Sequence, residues 1–441
     1  MRPLPQAPTL AEALTELPKT HLPEFVASFA RPAHPYLPWD DVRFRTPPEG
    51  LTHRQWWAAI KLGRSSMLRT LPLLQLTDGA PLRYALPDDV QRLVDRIGLR
   101  AGGTIGLAGT SPDAESRDRY ITSSLIEEAI TSSQLEGAAT TSRVARELLR
   151  SGRDPDDRSE QMIVNNYRAM TRIRELRAEP FTPDLVREIH RIVTEGTLDD
   201  PAAAGRLQSD QARRVHVATP EGDVLHTPPP VDQLHDRLER LCSFANGEGS
   251  GYIPPVLRSI AVHFMAGYDH YFEDGNGRTA RALFYWSMLR EGYWLAEFLT
   301  ISPFLKNAPA QYARSFEYVE TDEGDLTYFF VHHLRVLNRA LDTLEHWLDE
   351  KSAAASSTRQ RLKSLGDQFN HRQIALLGHA LNHPGFTYTG TSHARSHNVS
   401  LPTALSDLHG LADHGLLTPG KRGRRFVWTS PHTLSDFIAE L

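Results

Sequence analysis

One stretch concentrates the chemistry of this chain: His270-Tyr-Phe-Glu-Asp-Gly-Asn-Gly-Arg-Thr-Ala-Arg281. It sets an imidazole, a carboxylate, two glycines around an asparagine, and two guanidinium groups in a fixed order. A glycine-rich loop that feeds a helix N-terminus exposes backbone N–H groups and the positive end of the helix dipole, and so binds anions. Gly275, Asn276 and Gly277 supply that loop. Arg278 and Arg281 stand three apart, on one side of the first helical turn, where both reach phosphate oxygens. Asp274 puts a carboxylate beside the same phosphates, suited to holding Mg²⁺. His270 is the nearby side chain whose ordinary pKa suits general-base work near neutrality. Singly these features are common: Gly-Asn-Gly is a frequent turn, and a His before an aromatic is most often structural. The ordered composite points to a site that binds phosphate and takes up a proton beside it.

Helices must carry this segment. An apolar run from Val256 to Tyr268 predicts a helix that delivers His270 to the loop, and a second apolar helix follows from about Arg278 to Glu291. Upstream, Asp118–Glu136 sets Ile121, Leu125, Ala129 and Leu135 near one face. Ser142–Arg150, Gln161–Arg177 and Thr182–Thr194 continue the helical period, the last opening on a Thr-Pro pair. Between Arg214 and Pro230 the period breaks; Val215 and Val217, then Val224 and Leu225, flank Pro220-Glu-Gly-Asp223 and predict a β-hairpin. Helices resume at Val231–Ala245 and Asp325–Leu348. Ahead of all these lie a proline-rich arm (1–35) and a region of short elements (36–110) with a helical stretch around Arg54–Arg69. The main body spans 111–350. Small and polar residues from Lys351 to Ser357 predict a linker (351–368). A separate unit (369–441) follows, with helices at His371–His383 and Thr403–His414 and a hairpin from Leu416 to Trp428.

Composition bounds the rest. At 441 residues the chain is too long for one core. Its 40% hydrophobic and 23% charged residues are ordinary globular proportions, and a net charge of −5 excludes a nucleic-acid polycation. A single cysteine, Cys242, forms no internal disulfide and fits a reducing compartment. The first ten residues hold no apolar signal core, and no apolar run is long enough to span a bilayer. The expectation is a cytoplasmic protein without membrane contact.

The His270–Arg281 segment resembles the active-site motif of the Fic family, His-Pro-Phe-x-(Asp/Glu)-Gly-Asn-Gly-Arg-x-x-Arg. The resemblance implies a mostly α-helical Fic-type domain with a β-hairpin flap. It implies an enzyme that transfers AMP from Mg²⁺–ATP to a Ser, Thr or Tyr hydroxyl of a protein, itself included. His270 would deprotonate the hydroxyl and Asp274 would bind the metal. Gly275, Asn276 and Gly277 would line the anion hole, with Thr279 among the nucleotide contacts. Arg278 and Arg281 would hold the phosphates, Arg281 nearest the γ-phosphate, and Phe272 would anchor the loop. Tyr271 departs from the pattern, standing where the family usually has proline. Ser132-Ser-Gln-Leu-Glu136-Gly137 resembles the family's inhibitory motif, (Ser/Thr)-x-x-x-Glu-(Gly/Asn). It implies that Glu136 pairs with Arg281 and keeps a γ-phosphate out; read alone, it is a helix end capped by Gly137. The hairpin sits where relatives carry a flap that docks the target as an added strand, with Val215, His216 and Val217 as the pairing edge; a plain structural hairpin is the alternative. Tyr312 and Thr321-Asp-Glu-Gly-Asp325 match the region lining the nucleoside pocket in relatives, although Asp322 replaces a common Asn and leaves base preference open.

The last unit reads as a winged helix-turn-helix. Arg422, Arg424 and Arg425 crowd the wing, but the second helix turns Leu401, Pro402, Leu405 and His409 outward, which leaves DNA docking and protein docking both open. His379/His383 and His393/His397 recur at i,i+4 without a third ligand at zinc spacing, and read as solvated. Two rival functions remain: a Fic enzyme that uses another nucleotide or removes AMP, and a DNA-binding regulator whose Fic body senses nucleotide. A homodimer is compatible with either.

Overall fold

The computed structural model describes residues 3–30, 35–102, 114–218, 222–249, 251–364, 368–383, 385–423, 425–431, 433–434 and 437–438. They form two compact units, Met1–Leu344 and Glu345–Leu441.

At the centre of the first unit lie two consecutive helices, Pro255–Asp269 and Asn276–Arg290. Pro255 opens the first at a position whose N–H has no helical acceptor anyway. Val256, Ile260 and Phe264 in one, and Leu283, Tyr285 and Trp286 in the other, are all buried. Apolar residues on every side mark helices enclosed by others. The enclosing layer comprises Ala114–Leu135, Arg158–Glu175, Pro183–Thr194, Leu234–Ala245 and Pro309–Thr321. Thr182 and Asp157 cap two of these by accepting from Leu185 N and Glu160 N. Ala114–Leu135 ends on a Schellman turn: Gly137 has φ 95°, Ala138 N donates to Ser133 O and Gly137 N to Gln134 O. This turn fixes the point at which Glu136 leaves the helix.

Sheet content is small. Strands β1 (Arg69–Gln75) and β2 (Pro81–Tyr84) pair antiparallel, as do β3 (Val217–Ala218) and β4 (Val224–His226). The helix before β1 ends at Ser65, so the helical period around Arg54–Arg69 is cut short by the strand. Cys242 is buried in Leu234–Ala245, and burial pushes its thiol pKa up to about 12. Among the described residues no helix is long and apolar enough to cross a membrane.

The linker reading needs correction. The helix Thr327–Ser364 runs on through residues 351–364. Ala353, Ala354 and Ala355 are the strongest helix formers, and no Gly or Pro intervenes before Gly366. Of the remaining linker positions 365–368, residues 365–367 lie outside the described residues.

In the second unit, helices His371–Asn382, Gly390–His397 and Leu401–Asp413 accompany strands β5 (Thr387–Tyr388), β6 (Thr418–Arg422) and β7 (Arg425–Thr429), in the sheet order β5-β7-β6. Leu377, Leu408, Leu411 and Trp428 centre its core. His393 is not solvated: it is buried and lies 3.2 Å from Asp407, which also accepts from Arg372. Leu405 packs partly against the core rather than facing outward, and Arg424 lies outside the described residues.

Candidate active site

Between the two central helices the chain turns through 270–275. His270 takes a left-handed backbone conformation (φ 47°) at the end of the first helix, a strained state for a residue with a Cβ. Long-range hydrogen bonds hold it there. Arg214 donates to the carbonyls of His270 (2.7 Å), Asp269 (2.6 Å) and Pro229 (2.7 Å). Gln208 Nε2 donates to the carbonyls of His270 (3.1 Å) and Phe272 (2.7 Å). Asn276 turns its amide back onto Phe272, accepting from its N–H and donating to its carbonyl, so its side chain braces the loop. Phe272 is buried and stacks on His190 at 3.7 Å. His190 accepts from Gly205 N at Nδ1 and donates through Nε2 to the Asp274 carbonyl, and burial pushes its pKa down to about 4. Tyr271 is buried where a proline is usual, and its hydroxyl donates to Asp269, which Arg237 pairs from the other side. Gln208, Arg214, His190 and Arg237 escape sequence reading because they lie far along the chain and share no spacing with the loop.

At His270 itself, Nδ1 lies 2.7 Å from the Gly267 carbonyl. A carbonyl only accepts, so Nδ1 carries the proton and Nε2 keeps its lone pair. Burial pushes the imidazole pKa down to about 4, which keeps the ring neutral near pH 7.

The loop feeds directly into Asn276–Arg290. Gly275 precedes that helix with φ 77°, and a Cβ there would stand 2.6 Å from Thr194 Cγ2, so only glycine fits. Arg278 is fully buried. Its Nη1 donates to Val193 O at 2.9 Å, while Nε and Nη2 are enclosed with no hydrogen-bond partner among the described residues. Burial lowers its pKa. Two orphaned guanidinium donors at a helix start are what an anion would satisfy. Arg281 is buried one turn on; Nε donates to Ser132 Oγ (2.7 Å), and Nη2 to Ser132 O (3.0 Å) and Glu136 Oε1 (2.8 Å). Burial opposes its charge, but the Glu136 carboxylate outweighs that and raises its pKa. Glu136 also lies against Gly277, where an added Cβ would overlap Oε1. Thr279 is buried, and its hydroxyl has no partner among the described residues.

One pocket of about 320 Å³ is lined by His270, Asp274, Gly275, Gly277, Glu136 and Tyr312, whereas the buried Arg278, Thr279 and Arg281 are not among its lining residues. Asp274 is half exposed; one carboxylate oxygen accepts from Gly275 N, and the other lies 3.5 Å from Arg158. Tyr312 places its hydroxyl 2.9 Å from His263 Nε2, and burial pushes that hydroxyl up to about 12. Asp322 lies elsewhere: it is buried and paired with Lys61 (2.6 Å) and the Tyr328 hydroxyl (2.6 Å). The hairpin borders the pocket through Val215, Val217 and Leu225. Only Val217 of the expected edge is in the strand, paired with His226; Val215 donates instead to Gln208, and His216 is exposed. Of the turn Pro220–Asp223, residues 220 and 221 lie outside the described residues, as does residue 219 before it.

Comparison with known proteins agrees with this geometry. The Fic/DOC family profile matches residues 180–288. Protein adenylyltransferase fic-1 of Caenorhabditis elegans is 33% identical over 110 residues, covering 25% of this chain and 20% of that protein. Protein adenylyltransferase Fic of Nematostella vectensis is 31% identical over 117 residues, covering 26% and 25%. The chain thus spans a quarter or less of the length of these curated relatives. A solved Fic family protein from Desulfovibrio desulfuricans G20 shares the fold with TM-score 0.52 at 18% identity, over 81% of this chain and 99% of that one. The whole His270–Arg281 segment lies inside the stretch, residues 180–288, that matches the Fic/DOC family profile.

Proposed function

We propose that the chain transfers AMP from ATP to a Ser, Thr or Tyr hydroxyl of a protein, itself included, and that Glu136 holds it in an inhibited state. The observation that carries this reading is the tautomer of His270. Its Nε2 keeps its lone pair, in a pocket also lined by the helix start Gly275–Gly277, and the adjoining Arg278 has two donors without a partner among the described residues. The acceptor hydroxyl gives its proton to Nε2, and its oxygen attacks the α-phosphorus. The bond from that phosphorus to the β-phosphate bridging oxygen breaks, and pyrophosphate leaves. Backbone N–H groups at Gly275–Gly277 and the guanidinium of Arg278 stabilise the charge on the phosphates. A single half-exposed carboxylate beside a phosphate site suits Mg²⁺, which takes most of its remaining ligands from phosphate and water. Asp274 would hold that ion, whose contribution is to neutralise phosphate charge. Glu136 places a competing carboxylate on Arg281 and over Gly277, in the space a γ-phosphate needs.

Incubation with α-labelled and γ-labelled ATP tests the reaction: protein-bound α label without γ label is expected, and γ label alone would mean a kinase. Chase of pre-labelled protein separates transfer from AMP removal. We read the second unit as a winged helix whose exposed Lys421, Arg422 and Arg425 and partly apolar second helix suit docking to a protein surface or to a phosphate backbone. A gel shift and a pull-down with that unit distinguish the two.

A further inference from the structure

The helix Pro309–Thr321 separates two cavities. Tyr312, Phe316 and Glu320, at i, i+4 and i+8, face the pocket just described, while Gln311, Arg314, Ser315 and Tyr318 face a second one of about 510 Å³. The size of the second cavity falls in the range of small-molecule sites. Its electrostatics are one-sided. Arg45, Arg314, Arg335 and Arg339 line it against one carboxylate, Asp41. Arg314 is bonded to Glu317 at 2.8 Å. Arg45, Arg335 and Arg339 make no ion pair among the described residues. Arg335 and Arg339 stand one turn apart on Thr327–Ser364, and like charges at that spacing repel unless an anion lies between them.

The remaining wall is aromatic and preorganised. Tyr36 lies 3.7 Å over the buried Arg64 guanidinium and 5.3 Å from Tyr328, whose ring meets Tyr318 at 5.8 Å. Tyr36 donates to Asp325 at 2.5 Å, and Tyr328 donates to Asp322. The acidic cluster of the Thr321–Asp325 turn therefore holds up this second wall. His332 joins the cavities: it lines the second and stacks on Tyr312 of the first, 6.4 Å between ring centres. Its Nε2 is enclosed and unpartnered among the described residues, and burial together with Arg339 and Arg335 pushes its pKa down to about 4. A negative ligand beside these arginines would relieve that field.

We propose that this cleft is a second ligand site, which binds a nucleoside polyphosphate with its phosphates among Arg45, Arg335 and Arg339 and its base against the tyrosine wall. The site is separate from the Fic pocket, so it stands or falls independently of AMP transfer. Isothermal titration of the full-length chain with ATP, with inorganic tripolyphosphate and with adenosine tests it. Arg335→Ser combined with Arg339→Ser changes only exposed side chains; it is expected to weaken binding of ATP and tripolyphosphate about tenfold or more. Arg281→Ala, in the other pocket, is expected to leave that component in place. Rising salt should weaken it, since its arginines are partly solvated. Equal ATP and tripolyphosphate affinities for the parent and the Arg335/Arg339 variant, with unchanged circular dichroism, would overturn the proposal. So would complete loss of binding in Arg281→Ala. ATP and tripolyphosphate binding equally tightly would overturn the assignment of the tyrosine wall to a base. Arg45→Ser gives a second, independent variant on the opposite rim.

Discussion

With its Nδ1 proton committed to the Gly267 carbonyl, His270 has one nitrogen left for chemistry. His270→Ala should abolish AMP transfer while nucleotide binding stays within a few-fold, because a base contributes mainly in the transition state. Near-normal labelling by a folded variant would remove His270 from that role. Since burial lowers its pKa to about 4, transfer at saturating ATP should persist well below pH 6.5 and fall only as pH approaches 4. An acid limb centred on 6.5 would contradict this. Glu136→Gly should raise self-labelling about tenfold or more by freeing Arg281. It should also lower nucleotide-free stability by about 1–3 kcal/mol, because a charge-assisted hydrogen bond to a buried guanidinium is lost. Arg281→Ala should cancel the gain; a double variant as active as Glu136→Gly alone would show that the effect bypasses Arg281. Glu136 could be reached only through the resemblance, whereas His270 and Arg281 could be picked out in the sequence because the polar groups of their segment are packed into twelve consecutive positions. Asp322 misled for the opposite reason, since its partner Lys61 lies far away in the chain.

At the scale of elements, the turn through 270–275 is suspended from distant side chains rather than self-supporting. Gly275→Ala forces a Cβ into Thr194 at a positive φ, and should cost about 1–3 kcal/mol of stability. A urea midpoint equal to that of the parent would show that the loop relaxes freely. Arg214 and Gln208 bind the carbonyls on either side of the histidine and tie the flap region to it. The central helices could be read from their all-round apolar pattern, and their ends from proline and glycine. The flap could be read only as a turn between valines: two short strands carry too few residues for a period to show which of them pair. The helix through 351–364 was missed because small polar residues suit a linker as readily as a helix surface, and its alanines were outweighed.

Taken whole, the molecule keeps several imidazoles neutral inside its first unit. His190, His270 and His332 are pushed down to about 4, and His263 and His333 well below their ordinary value, in each case by burial first. An unfolded chain takes up those protons near pH 6.5, and the fold refuses them until about 4. Stability from this source is therefore full above pH 6.5 and is lost as pH falls from 6.5 toward 4. The urea midpoint should drop markedly between pH 7.5 and pH 5, and an unchanged midpoint would refute the account. A chain ending at residue 350 should remain folded and still label itself, because every group around the pocket precedes Leu344. An insoluble product would mean that the second unit completes the core of the first. The buried Cys242 supplies a different kind of readout. Its thiol ionises only near pH 12 and sits inside a helix that packs beside the Pro255–Asp269 helix. A thiol-reactive dye therefore has no target until that helix opens, and the sequence offers it no competing sulfhydryl. The labelling rate of the unmodified protein becomes a clock for exposure of the core, and adding nucleotide should slow that clock if the occupied pocket locks the helices together.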